Sequence, residues 1–252
     1  MDLTLPARPG KPRARGITAM IDFGPDTFGW TGPAGVADLI ACAGAYIDYA
    51  KIYALNALLM PEAAVAQIVR LYAEGGIVPY SGGILFEHAY QRGALDAMLA
   101  LLDRIGLRTL ELSENYVTLA EEERLALIAR FHARGFQVIY EFGRKNPDEP
   151  MTIAGLGRLV AAVSALGVPH VIVEQSEIDM LADAGMEELA RQPWFATLLI
   201  ETDPYHFPRQ HAQLLTSYGP DINLANVSAG QVLRLEGLRR GIGRAVNYRI
   251  LA

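Results

Sequence analysis

Six short apolar runs in this 252-residue chain end on an acidic residue. TAMID ends at Asp22, AYID at Asp48, LRTLE at Glu111, FQVIYE at Glu141, HVIVE at Glu174 and TLLIE at Glu201. Runs of this length, rich in Val, Ile, Leu and Tyr, read as strands buried on both faces, the pattern of a parallel sheet covered by helices. Carboxylates set repeatedly at the ends of such strands converge on one rim of a parallel barrel. That rim is where barrels of this kind keep their chemistry.

The remaining punctuation fits the same architecture. Strands are expected at 17–23, 46–52, 76–81, 108–113, 136–142, 170–175, 197–202 and 221–224. Helical periodicity fills 35–43, 61–74, 88–105, 119–134, 152–166, 178–191, 206–218 and 228–240. Pro61 suits a first helical position, and Thr118 with Glu121 reads as a capping box. Gly44, Gly75, Gly106, Gly135, Gly167 and Gly219 fall where helices should end. Eight strand–helix units predict the α/β class and a single (β/α)8 TIM barrel over residues 1–252, with 1–16 as an N-terminal arm. Residues 142–151, FGRKNPDEPM, form the most loop-like stretch after a strand and read either as a lid or as an ordinary connection.

Composition narrows the function. Hydrophobic residues make up 51% of the chain, but no stretch reaches the roughly 18 uninterrupted apolar residues of a membrane span. The first residues lack the apolar core of a secretory signal. Cys42 is the single cysteine, so no internal disulfide can form and a cytoplasmic location fits. It sits on an amphipathic helix and reads as a small buried hydrophobe. The net charge of −6 argues against a nucleic-acid partner. Exposed apolar helix faces fit a homo-oligomer. His206 and His211 read as surface residues.

Asp22, Glu111, Glu141, Glu174 and Glu201 should share one space, whereas Asp48 reads as facing the helix layer. Two carboxylates roughly 4 Å apart repel by about 4 kcal/mol at an effective dielectric near 20. Such a set requires a divalent cation, bound protons, or Lys and Arg partners. Oxygen-only ligands favour Mg2+ over zinc, and the histidines show no zinc-binding spacing. Any one of these acids could equally cap a helix or pair with an arginine. The chain has three lysines, Lys11, Lys51 and Lys145. Lys51 ends the second strand and could bind an anion, work as an acid or base, form a Schiff base, or simply pair with Asp22 or Asp48. Lys145 could reach the rim from its loop. Ser81-Gly82-Gly83 reads as a tight turn. Asn223 and Asn226 are expected to end the last strand, with Ser228 opening the last helix, where this fold commonly binds phosphate.

Taken in order, the motifs resemble the phosphosulfolactate synthase family along nearly the whole chain. They are KPR at Lys11–Arg13, GIT with a later D.G between Gly16 and Gly24, G.YID..K at Gly44–Lys51 and GG.LFE at Gly82–Glu87. Then come E.S at Glu111–Ser113, E.G.K at Glu141–Lys145, VI.E at Val171–Glu174, NL.N at Asn223–Asn226 and LE.LR.G at Leu235–Gly241. The resemblance implies a barrel enzyme of coenzyme M synthesis, a carbon–sulfur lyase that uses Mg2+ to add sulfite to phosphoenolpyruvate. It implies Asp22, Glu111 and Glu174 as metal ligands, and Glu141, Lys51 and Lys145 as catalytic groups. It also implies Arg13, Ser113, Asn223, Asn226, Arg239 and Arg240 as contacts of a small anionic carboxylate substrate. The chain departs from the family pattern at Tyr53–Asn56, at Gln175–Asp179, at Glu201-Thr202-Asp203, at Ala225 and at Gly243–Asn247. Those loops leave two other expectations open: a barrel enzyme acting on another small carboxylate, possible through a Lys51 Schiff base, or a non-enzymatic relative like the plant heat-stress-associated members.

Overall fold

A computed structural model describes residues 3–26, 29–181 and 183–251. Its eight parallel strands are β1 (Thr18–Asp22), β2 (Tyr49–Ile52), β3 (Val78–Ser81), β4 (Thr109–Ser113), β5 (Gln137–Phe142), β6 (Val171–Val173), β7 (Leu198–Glu201) and β8 (Leu224–Ser228). They pair in sequence order, and β1 closes the barrel against β8. Besides a single turn at Asn56–Leu59, the helices are α1 (Pro33–Ala43), α2 (Glu62–Glu74), α3 (Gly83–Gln91), α4 (Leu95–Arg104), α5 (Glu121–Ala133), α6 (Ile153–Ala165), α7 (Gln175–Met180), α8 (Asp183–Ala190), α9 (Arg209–Tyr218) and α10 (Val232–Arg239). The chain is therefore a (β/α)8 barrel. Among the described residues, no helix is long and apolar enough to cross a membrane.

Two apolar layers follow from strand alternation. Ile17, Ala19, Tyr80, Ile139, Ile172, Leu199 and Ala225 pack inside the barrel. Their strand neighbours Met20, Leu110, Leu112, Val138, Tyr140, Val171 and Val173 pack outward. The helices meet that outer face with stripes such as Val65, Ile68, Val69 and Tyr72 of α2, at the spacing that puts apolar side chains on one face. Successive strand side chains alternate sides. Glu141, Glu174 and Glu201 stand two residues after Ile139, Ile172 and Leu199, so they point inward, one layer closer to the C-terminal rim.

The same parity corrects Asp22. It shares the phase of Met20 and faces the helices. Its Oδ1 accepts from Gly24 N at 2.8 Å and from Thr31 Oγ1, and its Oδ2 accepts from Tyr72 Oη at 2.7 Å. Burial raises its pKa, and the three bonds oppose the shift only in part. Asp22 is thus a structural acid tied to α2, away from the other expected metal ligands. Asp48 precedes β2 and accepts from Thr18 N at 2.9 Å, at the N-terminal end of the barrel.

The last unit also differs from expectation. β8 runs from Leu224 to Ser228, not 221–224. Asn226 takes a left-handed φ of 57°, and the β1–β8 register shifts across it. This is the mark of a bulge, and it carries the strand on through a polar Asn-Val-Ser segment. Asn223 consequently lies before the strand, and α10 begins only at Val232.

Smaller corrections have local causes. The helix expected at 88–105 is two helices, broken near Gly93, and 178–191 likewise divides. The Thr118 capping box does not form: α5 starts at Glu121 after Ala120, and Thr118 Oγ1 accepts from Arg144 instead. Cys42 is exposed. His211 is fully buried.

Residues 3–16 form neither helix nor strand and bind the N-terminal end of the barrel. Arg8 pairs with Asp221, and Lys11 Nζ donates to Gly44 O at 2.8 Å.

Candidate active site at the C-terminal rim

Four glutamates and two lysines meet at the inner ends of β2, β4, β5, β6 and β7. Lys51 Nζ lies 2.9 Å from Glu111 Oε2 and 3.7 Å from Glu141 Oε2. Lys145, from the loop after β5, pairs with Glu174 Oε2 and lies 3.4 Å from Glu201 Oε1 and 3.7 Å from Glu141 Oε1. Glu141 therefore bridges the two lysines. Gly83 N donates to Glu111 Oε1 at 2.6 Å, and a Cβ at Gly83 would collide with Ser113 Oγ at 2.2 Å. The glycine pair read as a tight turn thus also lets α3 start against the rim. All four glutamates are at most 4% exposed.

Their environments push the protons apart. Burial, then Glu141, drives Glu111 well up despite Lys51. For Glu141, burial is outweighed by Lys51, a hydrogen bond with Glu111, and Lys145, which hold it below the usual carboxylate range. Burial followed by repulsion from Glu201 and Glu141 raises Glu174 to about 8. Burial and Glu141 also raise Glu201. Burial alone would lower both lysines, but their carboxylate partners more than offset it, so both are held charged. A Schiff base requires a neutral amine, which the pairing of Lys51 opposes.

One oxygen from each of Glu141, Glu174 and Glu201 lies within 4.8 Å of the other two. Glu201 Oε2 is buried with no hydrogen-bond partner. Among the described residues, these three carboxylates, rather than Asp22, Glu111 and Glu174, are grouped closely enough to hold a hard cation.

The other expected site residues divide between the two ends of the barrel. Ser113 is at the rim, but its hydroxyl is taken by Glu87. Asn226 is at the rim side of β8, its Oδ1 buried and unpartnered. Arg13, Asn223, Arg239 and Arg240 are at the opposite end and do not reach the site. Arg13 binds Asp48 Oδ1 at 2.8 Å and Ala45 O at 2.7 Å. Asn223 accepts from Ile17 N at 3.0 Å and donates to Ala196 O at 2.8 Å. Arg239 donates to Pro220 O and, at 2.8 Å, to Ile222 O. Arg240 pairs with Glu236 at 2.7 Å and donates to Pro6 O at 2.8 Å. A surface hollow of about 920 Å³ between α9 and α10 contains none of the rim carboxylates. The converging buried charge, not hollow volume, locates the chemistry.

The model of the (2R)-phospho-3-sulfolactate synthase (ComA) family matches residues 6–244. The chain belongs to that family. It is 30% identical to a phosphosulfolactate synthase of Methanothermobacter thermautotrophicus, over 96% of this chain and 95% of that one. It is 29% identical to a phosphosulfolactate synthase of Methanocaldococcus jannaschii, over 90% and 92%. Two solved barrels share the fold alone. Thiamine phosphate pyrophosphorylase from Pyrococcus furiosus has a TM-score of 0.50 at 10% identity, covering 91% of this chain and 94% of that one. Phosphoenolpyruvate phosphomutase from Streptomyces platensis has a TM-score of 0.50 at 13% identity, covering 88% and 79%.

In this member of the phosphosulfolactate synthase family, four supporting residues escaped the sequence reading. Glu87 accepts from Asn115 N at 2.9 Å, Tyr116 N at 2.8 Å and Val117 N at 3.1 Å, fixing the loop after β4. Asn115 Nδ2 then donates to Glu141 Oε1 at 3.2 Å and Gly143 O at 3.0 Å. Ser176 Oγ donates to Lys145 O at 2.6 Å, and Glu177 Oε1 accepts from Arg144 N at 3.1 Å. Glu87 lay within the GG.LFE motif, and Ser176 and Glu177 lay within the Gln175–Asp179 departure; those were the available signals.

Proposed function

We propose that the chain is a Mg2+-dependent phosphosulfolactate synthase that adds sulfite to phosphoenolpyruvate. The observation that carries this reading is the cluster of Glu141, Glu174 and Glu201 around Lys145, beside the Lys51–Glu111 pair, in a chain whose relatives are named phosphosulfolactate synthases. Glu141, Glu174 and Glu201 would hold the Mg2+, an all-oxygen donor set suited to that ion. When bound, the ion supplies positive charge for the substrate carboxylate as negative charge builds on it.

The chain's own residues supply the rest. Addition forms a C–S bond at the methylene carbon of phosphoenolpyruvate, and the displaced π electrons take up a proton at C2. The charged ammonium of Lys145 holds a transferable proton at Nζ. It lies on the exposed side of the cluster, with its side chain 31% exposed against 3% for Glu174, and serves as the donor to C2. Lys51, deeper and paired with Glu111 and Glu141, keeps a fixed positive charge toward the anionic substrate. Asn226, with its free Oδ1, is placed to contact the bound substrate.

Phosphorus-31 NMR tests the reading. With phosphoenolpyruvate, sulfite and Mg2+, the substrate signal should give way to that of a secondary phosphate ester. An unchanged spectrum at high enzyme concentration would refute it.

A further inference from the structure

We infer that Lys145 is a resident counter-ion which a divalent cation displaces, so that metal uptake and release of the lysine side chain are a single exchange. The inference rests on the metal-assisted reading above. Lys145 Nζ contacts Glu174 Oε2, with Glu201 Oε1 at 3.4 Å and Glu141 Oε1 at 3.7 Å. These are the three side chains whose oxygens gather within 4.8 Å. A Mg2+ ion needs oxygens at about 2.0–2.1 Å in near-octahedral array, and an ammonium group cannot share that volume. The lysine also leaves the cluster incompletely satisfied, because Glu201 Oε2 stays buried without a partner.

The backbone beneath Lys145 is anchored, so the side chain does the moving. Ser176 Oγ holds the Lys145 carbonyl at 2.6 Å, and Glu177 holds the Arg144 amide at 3.1 Å. Gly143, at φ +117°, lies so close to α7 that a Cβ there would meet Glu174 Cβ at 2.8 Å and Glu177 Cγ at 2.5 Å. The loop is thereby pinned to α7, the helix that follows Glu174. The Lys145 stem is partly exposed while Glu141 and Glu174 are not, which gives the ammonium a path outward. Once displaced, it stands over the same site, free to meet an anionic substrate.

The three lysines of the chain make the test tractable. Full-length protein labelled with 13C-lysine gives three Cε correlations, and Lys145→Met identifies one by its loss. Titration with Mg2+ alone should shift the Lys145 signal in step with uptake measured by calorimetry, and leave that of Lys11 unmoved. Removing the competing ammonium should tighten Mg2+ binding to Lys145→Met by about tenfold or more, because the open site no longer has to be vacated first. Uptake that leaves the Lys145 signal in place, with turnover intact, overturns the exchange but spares the proposed function. Absence of Mg2+ uptake by both proteins overturns both.

Discussion

The two ends of the barrel bury charge of opposite excess and handle it differently. At the C-terminal rim, Glu111, Glu141, Glu174 and Glu201 outnumber Lys51 and Lys145. At the N-terminal end, Arg8, Arg13, Arg239 and Arg240 outnumber Asp48, Asp221 and Glu236. The surplus cations below are absorbed by backbone carbonyls, among them those of Pro9, Ala45 and Ile222. Carbonyls are plentiful where strands begin, so these arginines clamp the fold, although Arg239 Nε stays buried without a hydrogen-bond partner. The surplus carboxylates above find few N–H donors, and Glu201 keeps a bare buried oxygen. One end therefore spends its charge on itself, while the other holds it available.

The sharpest way to break this contrast is to exchange the phenotypes. Glu174→Gln should lower kcat/KM by roughly a hundred- to a thousandfold while the thermal midpoint holds, since the change relieves like-charge crowding. Steady-state kinetics beside calorimetric melting checks this; a folded variant with full activity would place the chemistry elsewhere. At the other end, Arg239→Met should cost about 3 kcal/mol of stability, because it strips buried carbonyls of a charged donor. Urea unfolding measures the loss, and turnover per folded molecule should be unchanged.

A smaller effect is pH-dependent. Burial, then Arg239, holds the His211 imidazole down at about 4, against 6.5 for the ordinary group. It is packed against the Phe207 ring. Between those two values the unfolded chain binds more protons than the folded one, so stability is complete above about 6.5 and falls as pH drops toward 4. About 2 kcal/mol should be gone at pH 5. Comparing unfolding curves at pH 7 and pH 5, His211→Leu should lose that slope; retention of the slope would assign it to other groups. Smallest in stability terms is Asn226→Gly. Glycine accepts the left-handed φ without penalty, so unfolding free energy should move by less than about 1 kcal/mol. KM for the substrate should nevertheless rise several-fold, and an unaltered KM would remove Asn226 from the site.

Most of the barrel was legible because its strands are long apolar runs separated by amphipathic helices. β8 was misread because its polar Asn-Val-Ser end is held by a bulge at Asn226 and by pairing with β1, neither of which leaves a local pattern. The rim was legible as a row of acids, but not which acids turn inward. Strands buried on both faces are apolar on both faces, so alternation gives no phase. Asp22 and Glu141 each end an apolar run, yet one faces Tyr72 and the other Lys51. Misplacing the last strand also put Asn223 at the wrong end, whereas Arg13, Arg239 and Arg240 were expected at the site only through the family resemblance. Glu87, on α3, acts by gathering the backbone amides of the loop after β4, and a sequence does not show where those amides gather.

Ile17 has a consequence for how the molecule is made. Its amide donates to Asn223 at 3.0 Å, and its carbonyl accepts from Leu224 N at 3.0 Å and Arg239 at 3.3 Å. A nascent chain therefore emerges from the ribosome with its first strand waiting for partners some two hundred residues downstream. Until they are synthesised, β1 and β7 each present an open sheet edge, the surface most prone to pair with a neighbouring chain. Translation stalled before residue 224 would leave the product adhesive rather than merely inactive.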